Sequence, residues 1–112
     1  MTKGPLDGMR VVDLTTTIAG PYCTRMMADL GADVIKIETV EGDMMRMRMP
    51  LRNGASTAFG QLNAGKQSIA LDLKRPEAQE AVRRLLTKTD FLVENFRPGV
   101  MKRFKLDYET AA

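Results

Sequence analysis

The chemistry open to this sequence is bounded first by a residue type it lacks. None of its 112 residues is His, which removes an imidazole base, a His-ligated metal and any Ser-His-Asp or Cys-His pair within the chain. The single cysteine, Cys23, can close no internal disulfide and no cysteine-rich zinc site; near a helix start it reads as a small buried apolar residue. Asp13 and Asp72 each fall on or beside a predicted strand, yet no spacing brings them together, so they are not taken as an acid/base pair. Neither G-x-G-x-x-G nor a Walker A sequence occurs, so the dinucleotide and nucleoside-triphosphate fingerprints find no support.

What remains is basic charge, and it is unevenly placed. Residues 1–40 carry four Lys/Arg against five Asp/Glu, and residues 41–112 carry thirteen against nine. The second part should therefore meet any anionic ligand. Nucleic acid is the generic partner of such an excess, but only 5% of residues are aromatic and none is Trp, which leaves little for base stacking. A phosphate-bearing small molecule fits better, with no nucleic acid, no membrane and no metal.

The elements that must position these groups follow from periodicity and punctuation. A chain of 12.5 kDa with 44% hydrophobic and 28% charged residues is globular and sized for one domain, and its nine Met supply adaptable core filling. Residues 10–15 predict a strand, Pro21 the first turn of a helix with apolar positions Tyr22, Met26, Met27 and Leu30, Gly31 its left-handed cap, and residues 32–38 a second strand. Residues 39–63, rich in Met and Arg and without a sustained period, predict a long loop with one irregular helical turn. A strand over residues 68–73, a helix from Pro76 to Leu86, a strand at Phe91–Val93, a turn over Asn95–Gly99 and a short helix over residues 100–104 complete the pattern. The fold class is α/β, with a parallel or mostly parallel sheet flanked by helices. Ligands of such sheets bind beyond the strand carboxyl ends, here near Thr15–Pro21, Glu38–Asp43 and Glu94–Gly99. No signal core and no apolar run of roughly 18 residues is present, so the expected location is cytoplasmic.

Five ordered blocks then become informative together: Gly8–Leu14, Ala19-Gly20-Pro21, Ala28–Glu38 with Gly42-Asp43, Leu62–Lys74, and Val93–Gly99. In order and spacing they resemble the amino-terminal part of the family III CoA-transferases, a group that includes formyl-CoA:oxalate and carnitine CoA-transferases and the related α-methylacyl-CoA racemases. The resemblance runs from about Pro5 to Tyr108 and implies an incomplete, Rossmann-like large domain filling residues 1–112, whose missing parts lie later in a longer chain. It further implies an interlocked homodimer, acyl-CoA and a small carboxylic acid as substrates, and CoA transfer through an aspartyl anhydride. The nucleophilic aspartate is expected beyond residue 112, so no catalytic residue is expected within the chain, which alone should be inactive. Alternatives are an acyl-CoA racemase of the same fold and a non-catalytic CoA-binding or assembly module.

By position, the resemblance assigns Leu71, Lys74, Asn95, Phe96 and Arg103 to the CoA site. A guanidinium at a loop-to-helix junction suits the CoA phosphates, although Arg103 and Lys74 equally suit solvated surface, Phe96 plain core packing, and Asn95 a side-chain turn to its own backbone. Three positions depart from the family pattern. Thr39-Val40 stands where relatives place a basic or proline residue, Ile18 where the formyl-CoA enzymes place glutamine, and Lys105 where glycine is usual. Oxalate or formate specificity is therefore not expected, a larger or more apolar acyl group is, and the turn at Lys105 should be altered.

Overall fold

A computed structural model of the protein describes residues 4–111. Four strands, β1 (Arg10–Asp13), β2 (Asp33–Glu38), β5 (Gln67–Ala70) and β6 (Phe91–Val93), form one sheet in the order β5-β2-β1-β6. Every pairing in it is parallel. The connections include helices α1 (Ala19–Asp29) and α3 (Pro76–Leu86), as parallel neighbours require a crossover.

Central strand β1 is apolar on both faces because both faces are covered. Val12 joins Leu14, Ile37, the α3 residue Val82 and Leu106 in one cluster, while Val11 joins Ala32 and Val34 in a second that Met27 and Ala28 of α1 pack against. Pro76 opens α3, Glu77 sits in its first turn and Arg83 and Arg84 in its last, each charge on the side that the helix dipole favours. Burying Val82 stabilises the fold by roughly 1.5–3 kcal/mol. Gly31 follows α1 at φ +107°, and a Cβ there would lie 1.9 Å from Asp7 Oδ1, so any other residue would be strained and would displace the Asp7 side chain.

Three local expectations are corrected. Residues 39–63 are not one loop: a 3₁₀ turn spans Met44–Met47, short strands β3 (Leu51–Arg52) and β4 (Ala55–Ser56) form an antiparallel hairpin, and helix α2 spans Thr57–Asn63. The hairpin turns at Asn53-Gly54 with φ of +52° and +78°, the left-handed pair that a two-residue hairpin loop needs. Ser56 Oγ accepts the Phe59 N–H and caps α2, a helix of only seven residues interrupted by Gly60, too short to show a period. Next, α1 buries Pro21 and Thr24 and leaves Tyr22 and Met26 exposed, as are Ile18 and Leu30 at its ends, since the Thr24 hydroxyl turns inward to the Asp13 carboxylate. Cys23 is consequently exposed, not buried. Finally, Lys105 adopts φ +58° and keeps the left-handed turn that glycine would make, following the short helix α4 (Val100–Arg103) and preceding the turn α5 (Tyr108–Ala111).

Candidate functional site

The carboxyl ends of β1, β2 and β5 open into a cavity of about 290 Å³. Leu14, Ile37, Leu71, Leu73, Phe96 and Phe104 give it apolar walls, with Thr16, Glu38, Asp72 and Lys74 among its polar lining. The Phe96 ring meets Phe104 edge to face at 6.0 Å and 78°, and both pack on the cluster around Val12 and Leu14. Phe96 is thus wall and core at once. A larger cavity of about 600 Å³ flanks β6 near Leu86, Leu92 and Met101, but it lacks all five predicted site residues and touches the three end segments, where sheets of this kind take ligands, only at Glu94.

Of the five residues, Leu71, Lys74 and Phe96 come together on the smaller cavity, from two segments of the chain, the Leu71–Lys74 stretch and the residues after β6. Asn95 and Arg103 do not line it. The Asn95 amide is engaged with Thr16: Oδ1 accepts the Thr16 N–H at 3.0 Å and Nδ2 donates to the Thr16 carbonyl at 2.9 Å, a contact across the fold rather than a turn to its own backbone. Arg103 is exposed in the last turn of α4, the helix whose first residue, Val100, lines the cavity. Lys74 is exposed, and its backbone N–H donates to Asp72 Oδ1 at 3.1 Å.

Beside the cavity lies a buried polar network that the residue pattern did not reveal. The Asp13 carboxylate accepts the Thr15 N–H at 2.8 Å, the Thr15 hydroxyl, the Thr24 hydroxyl at 2.7 Å and the Lys66 ammonium at 2.9 Å. Burial pushes its pKa up, but these donors together hold it below the usual aspartate range. On Lys66, burial is the largest influence and pulls the ammonium below its ordinary range, against the attraction of Asp13. The several donors on Asp13 decide the pair in favour of its ionised form. Lys66 also donates to Asn63 Oδ1 at 2.7 Å and the Pro21 carbonyl at 3.1 Å, tying α2, α1 and β1 together.

A second pair, Lys36 with Asp43 at 3.1 Å, is equally buried. Lys36 Nζ also donates to the Thr15 carbonyl at 2.9 Å. The Asp43 N–H donates to Glu38 Oε1 at 2.8 Å, and Arg46 grips both Glu38 oxygens at 2.7 and 2.6 Å while its guanidinium lies 4.0 Å from the centre of the Phe59 ring. Arg46 above all, against burial and with help from the Ser68 hydroxyl and the Asp43 N–H, lowers the Glu38 carboxyl to about 2. The sequence signals were present, a lysine inside the strand Val34-Ile35-Lys36-Ile37 and Lys66 after Asn63-Ala64-Gly65, but each also describes a solvated charge.

Chemically the arrangement can bind and orient. An apolar cavity lined by Lys74, with Arg103 exposed on the adjoining helix α4, suits a ligand combining a planar or alkyl body with phosphates, while Asp13 and Glu38 are saturated with donors and poor nucleophiles. No group of three or more His, Cys, Asp or Glu side chains is placed to hold a metal among the described residues, and no described helix is long and apolar enough to cross a membrane.

Comparisons with known proteins agree with this architecture. The chain is 46% identical to a succinyl-CoA:mesaconate CoA-transferase of Haloarcula hispanica, over 96% of this chain and 28% of that protein. It is 44% identical to an acetyl-CoA:oxalate CoA-transferase of Acetobacter aceti, over 98% and 28%. A crystal structure of a CAIB/BAIF family protein from Brucella suis superposes with a TM-score of 0.91 at 41% identity, covering 98% of this chain and 30% of that one. The chain therefore spans a little over a quarter of the length of the curated relatives it matches. The model of CoA-transferase family III matches residues 6–112, and with nearly the whole chain so matched, the protein belongs to that family.

Proposed function

We propose that this chain forms part of the CoA site of a transferase that moves CoA between an acyl-CoA thioester and a carboxylic acid. The observation that carries the reading is the convergence of Leu71, Lys74 and Phe96 on one cavity at the strand carboxyl ends. In this reading Leu71 and Phe96 bury the apolar face of the nucleotide base. Lys74 and Arg103 serve its phosphates from the rim, with Arg103 reaching in from the end of α4. Glu41 and Asp72 also line the cavity, and their negative charge directs the phosphates toward those cations.

The chemical step falls to the remainder of a protein of the relatives' length. An aspartate there attacks the thioester carbonyl, giving an aspartyl anhydride and free CoA thiolate, and the exchange continues through an enzyme-CoA thioester to the acceptor acid. In this reading the buried carboxylates Asp13 and Glu38 do not supply that nucleophile, since Thr, Lys and Arg donors hold them. The homodimer and the cytoplasmic location belong to the same proposal, supported by membership of the family.

Calorimetric titration of CoA into the chain at two salt concentrations tests the reading. Arg103→Ala is expected to weaken binding by about tenfold or more, the scale of one charge-assisted hydrogen bond, and to flatten the salt dependence. Phe96→Ala should weaken it independently of salt. Binding indifferent to both changes, or no binding by a folded sample, would sink the assignment of these residues.

A further inference from the structure

The turn from β1 into α1 is held by side chains from four parts of the chain. The Thr15 N–H donates to Asp13 at 2.8 Å, and the Thr15 carbonyl accepts Lys36 Nζ at 2.9 Å. The Thr16 N–H and carbonyl are both taken by the Asn95 amide, and the Thr17 N–H faces the two Asp43 oxygens at 3.4 Å. Five backbone groups in three successive residues are thus held by side chains of β1, β2 and the segments after β2 and β6. Thr17 meanwhile adopts φ +75°, a left-handed conformation that a β-branched residue resists. Such strain persists where the surroundings over-determine it, and it gathers at ligand sites.

Three of the four holders, Asp13, Lys36 and Asp43, are buried members of the ionic network. Asn95 is different: it is exposed, it belongs to no ion pair, and its only side-chain hydrogen bonds among the described residues go to the Thr16 backbone. Thr16 lines the cavity on one side, and the residue after Asn95, Phe96, lines it on another. Asn95 therefore joins two walls of one cavity that lie 79 residues apart in sequence.

We propose that Asn95 is a positioning residue that fixes the strained Thr15–Thr17 turn against the Phe96 wall, so that its amide acts on a CoA ligand through Thr16 and not by touching it. The proposal rests on the reading of this cavity as a CoA subsite only in naming the ligand; the positioning itself is read without one.

The test measures amide hydrogen-exchange protection and CoA affinity for the parent chain, Asn95→Ala, the milder Asn95→Asp, and each of these combined with Thr17→Gly. Asn95→Ala is expected to lower protection at Thr16 and Thr17 by about tenfold or more, to leave Leu71–Lys74 within about twofold, and to weaken CoA binding about tenfold, the scale of one or two net hydrogen bonds. Asn95→Asp keeps the acceptor for the Thr16 N–H, loses the donor to its carbonyl, and should fall between parent and Asn95→Ala. Glycine adopts positive φ without strain, so Thr17→Gly should restore most of the lost affinity in both backgrounds. A ligand contact could not be restored in that way. Weaker CoA binding with loop protection unchanged, or no rescue by Thr17→Gly, would overturn the proposal, as would unchanged protection in both Asn95 variants. If the parent chain bound no CoA while Asn95→Ala still loosened the loop, the CoA reading would fail and the positioning would stand.

Discussion

Two sets of ion pairs in this protein share nearly the same distances and differ in everything else. On α3, Glu80 meets Arg83 at 3.0 Å and Arg84 at 3.4 Å in contact with water. At the carboxyl ends of β1 and β2, Asp13 meets Lys66 at 2.9 Å and Asp43 meets Lys36 at 3.1 Å, with no side chain among the four more than 1% exposed. Exposed pairs contribute little, because water and salt already satisfy the charges. Buried pairs need not stabilise more than an apolar replacement, but removing one partner strands the other without solvation. Separation alone does not tell these situations apart; burial does.

The sharpest way to break the comparison is Lys66→Met, which leaves the Asp13 charge buried with only its threonine donors. It should lower the unfolding free energy by about 3–5 kcal/mol, read from the urea midpoint, whereas Glu80→Gln should leave the midpoint where it was. Equal effects from the two would remove the distinction.

Acid titration probes the same contrast. Glu38 is lowered from 4.5 to about 2, so the stability it contributes is complete above about pH 4.5 and drains away as the pH falls toward about 2. Asp13, also lowered, works in the same direction. The melting temperature should fall across that window, and Glu38→Gln should flatten the slope.

A smaller effect is expected from Arg46→Met, since the Arg46 side chain is 43% exposed. Loss of its contact with Phe59 and of its pair with Glu38, which stays buried with only its Ser68 and Asp43 donors, should cost about 1–3 kcal/mol, seen as faster proteolysis within residues 44–56 while the sheet stays intact. The smallest is a gain. Lys105→Gly relieves a left-handed lysine and should raise stability by on the order of 0.5–1 kcal/mol, measurable as a higher urea midpoint.

Much of the fold could be read from residue order. Val11 and Val12 on β1, the run Val34-Ile35-Lys36-Ile37 on β2, and the Pro21 and Gly31 signals around α1 lead to a strand-helix-strand unit that the structure contains. The burial of α1 was not legible, because Thr24 is inside for its bond to Asp13 and Tyr22 and Met26 are outside, the reverse of what polarity suggests. Helix α2 was hidden by Gly60 and by its seven-residue length. Leu71, Lys74 and Phe96 could be named from the resemblance, and only the tertiary fold shows that they share a cavity. Lys36 and Lys66 could not be picked out, since a lysine beside hydrophobic residues looks like surface until the partner carboxylate is seen.

The strand order β5-β2-β1-β6 also bears on the order of assembly. Arg10 pairs with Asp33, 23 residues on, and Ile35 with Gln67, 32 residues on, but Val11 pairs with Phe91 across 80 residues. Closing the longest of these loops costs about 1 kcal/mol more than closing the shortest, and contacts between distant segments slow folding. On loop closure alone the β1–β2 pair is expected to form first and β5 to extend it, with three-residue β6, whose Phe91 is half in water, expected to join last. Because Asn95 and Phe96 follow closely on that strand, the Phe96 wall of the cavity and the Asn95 bonds to Thr16 are expected to be the last parts of the site to form.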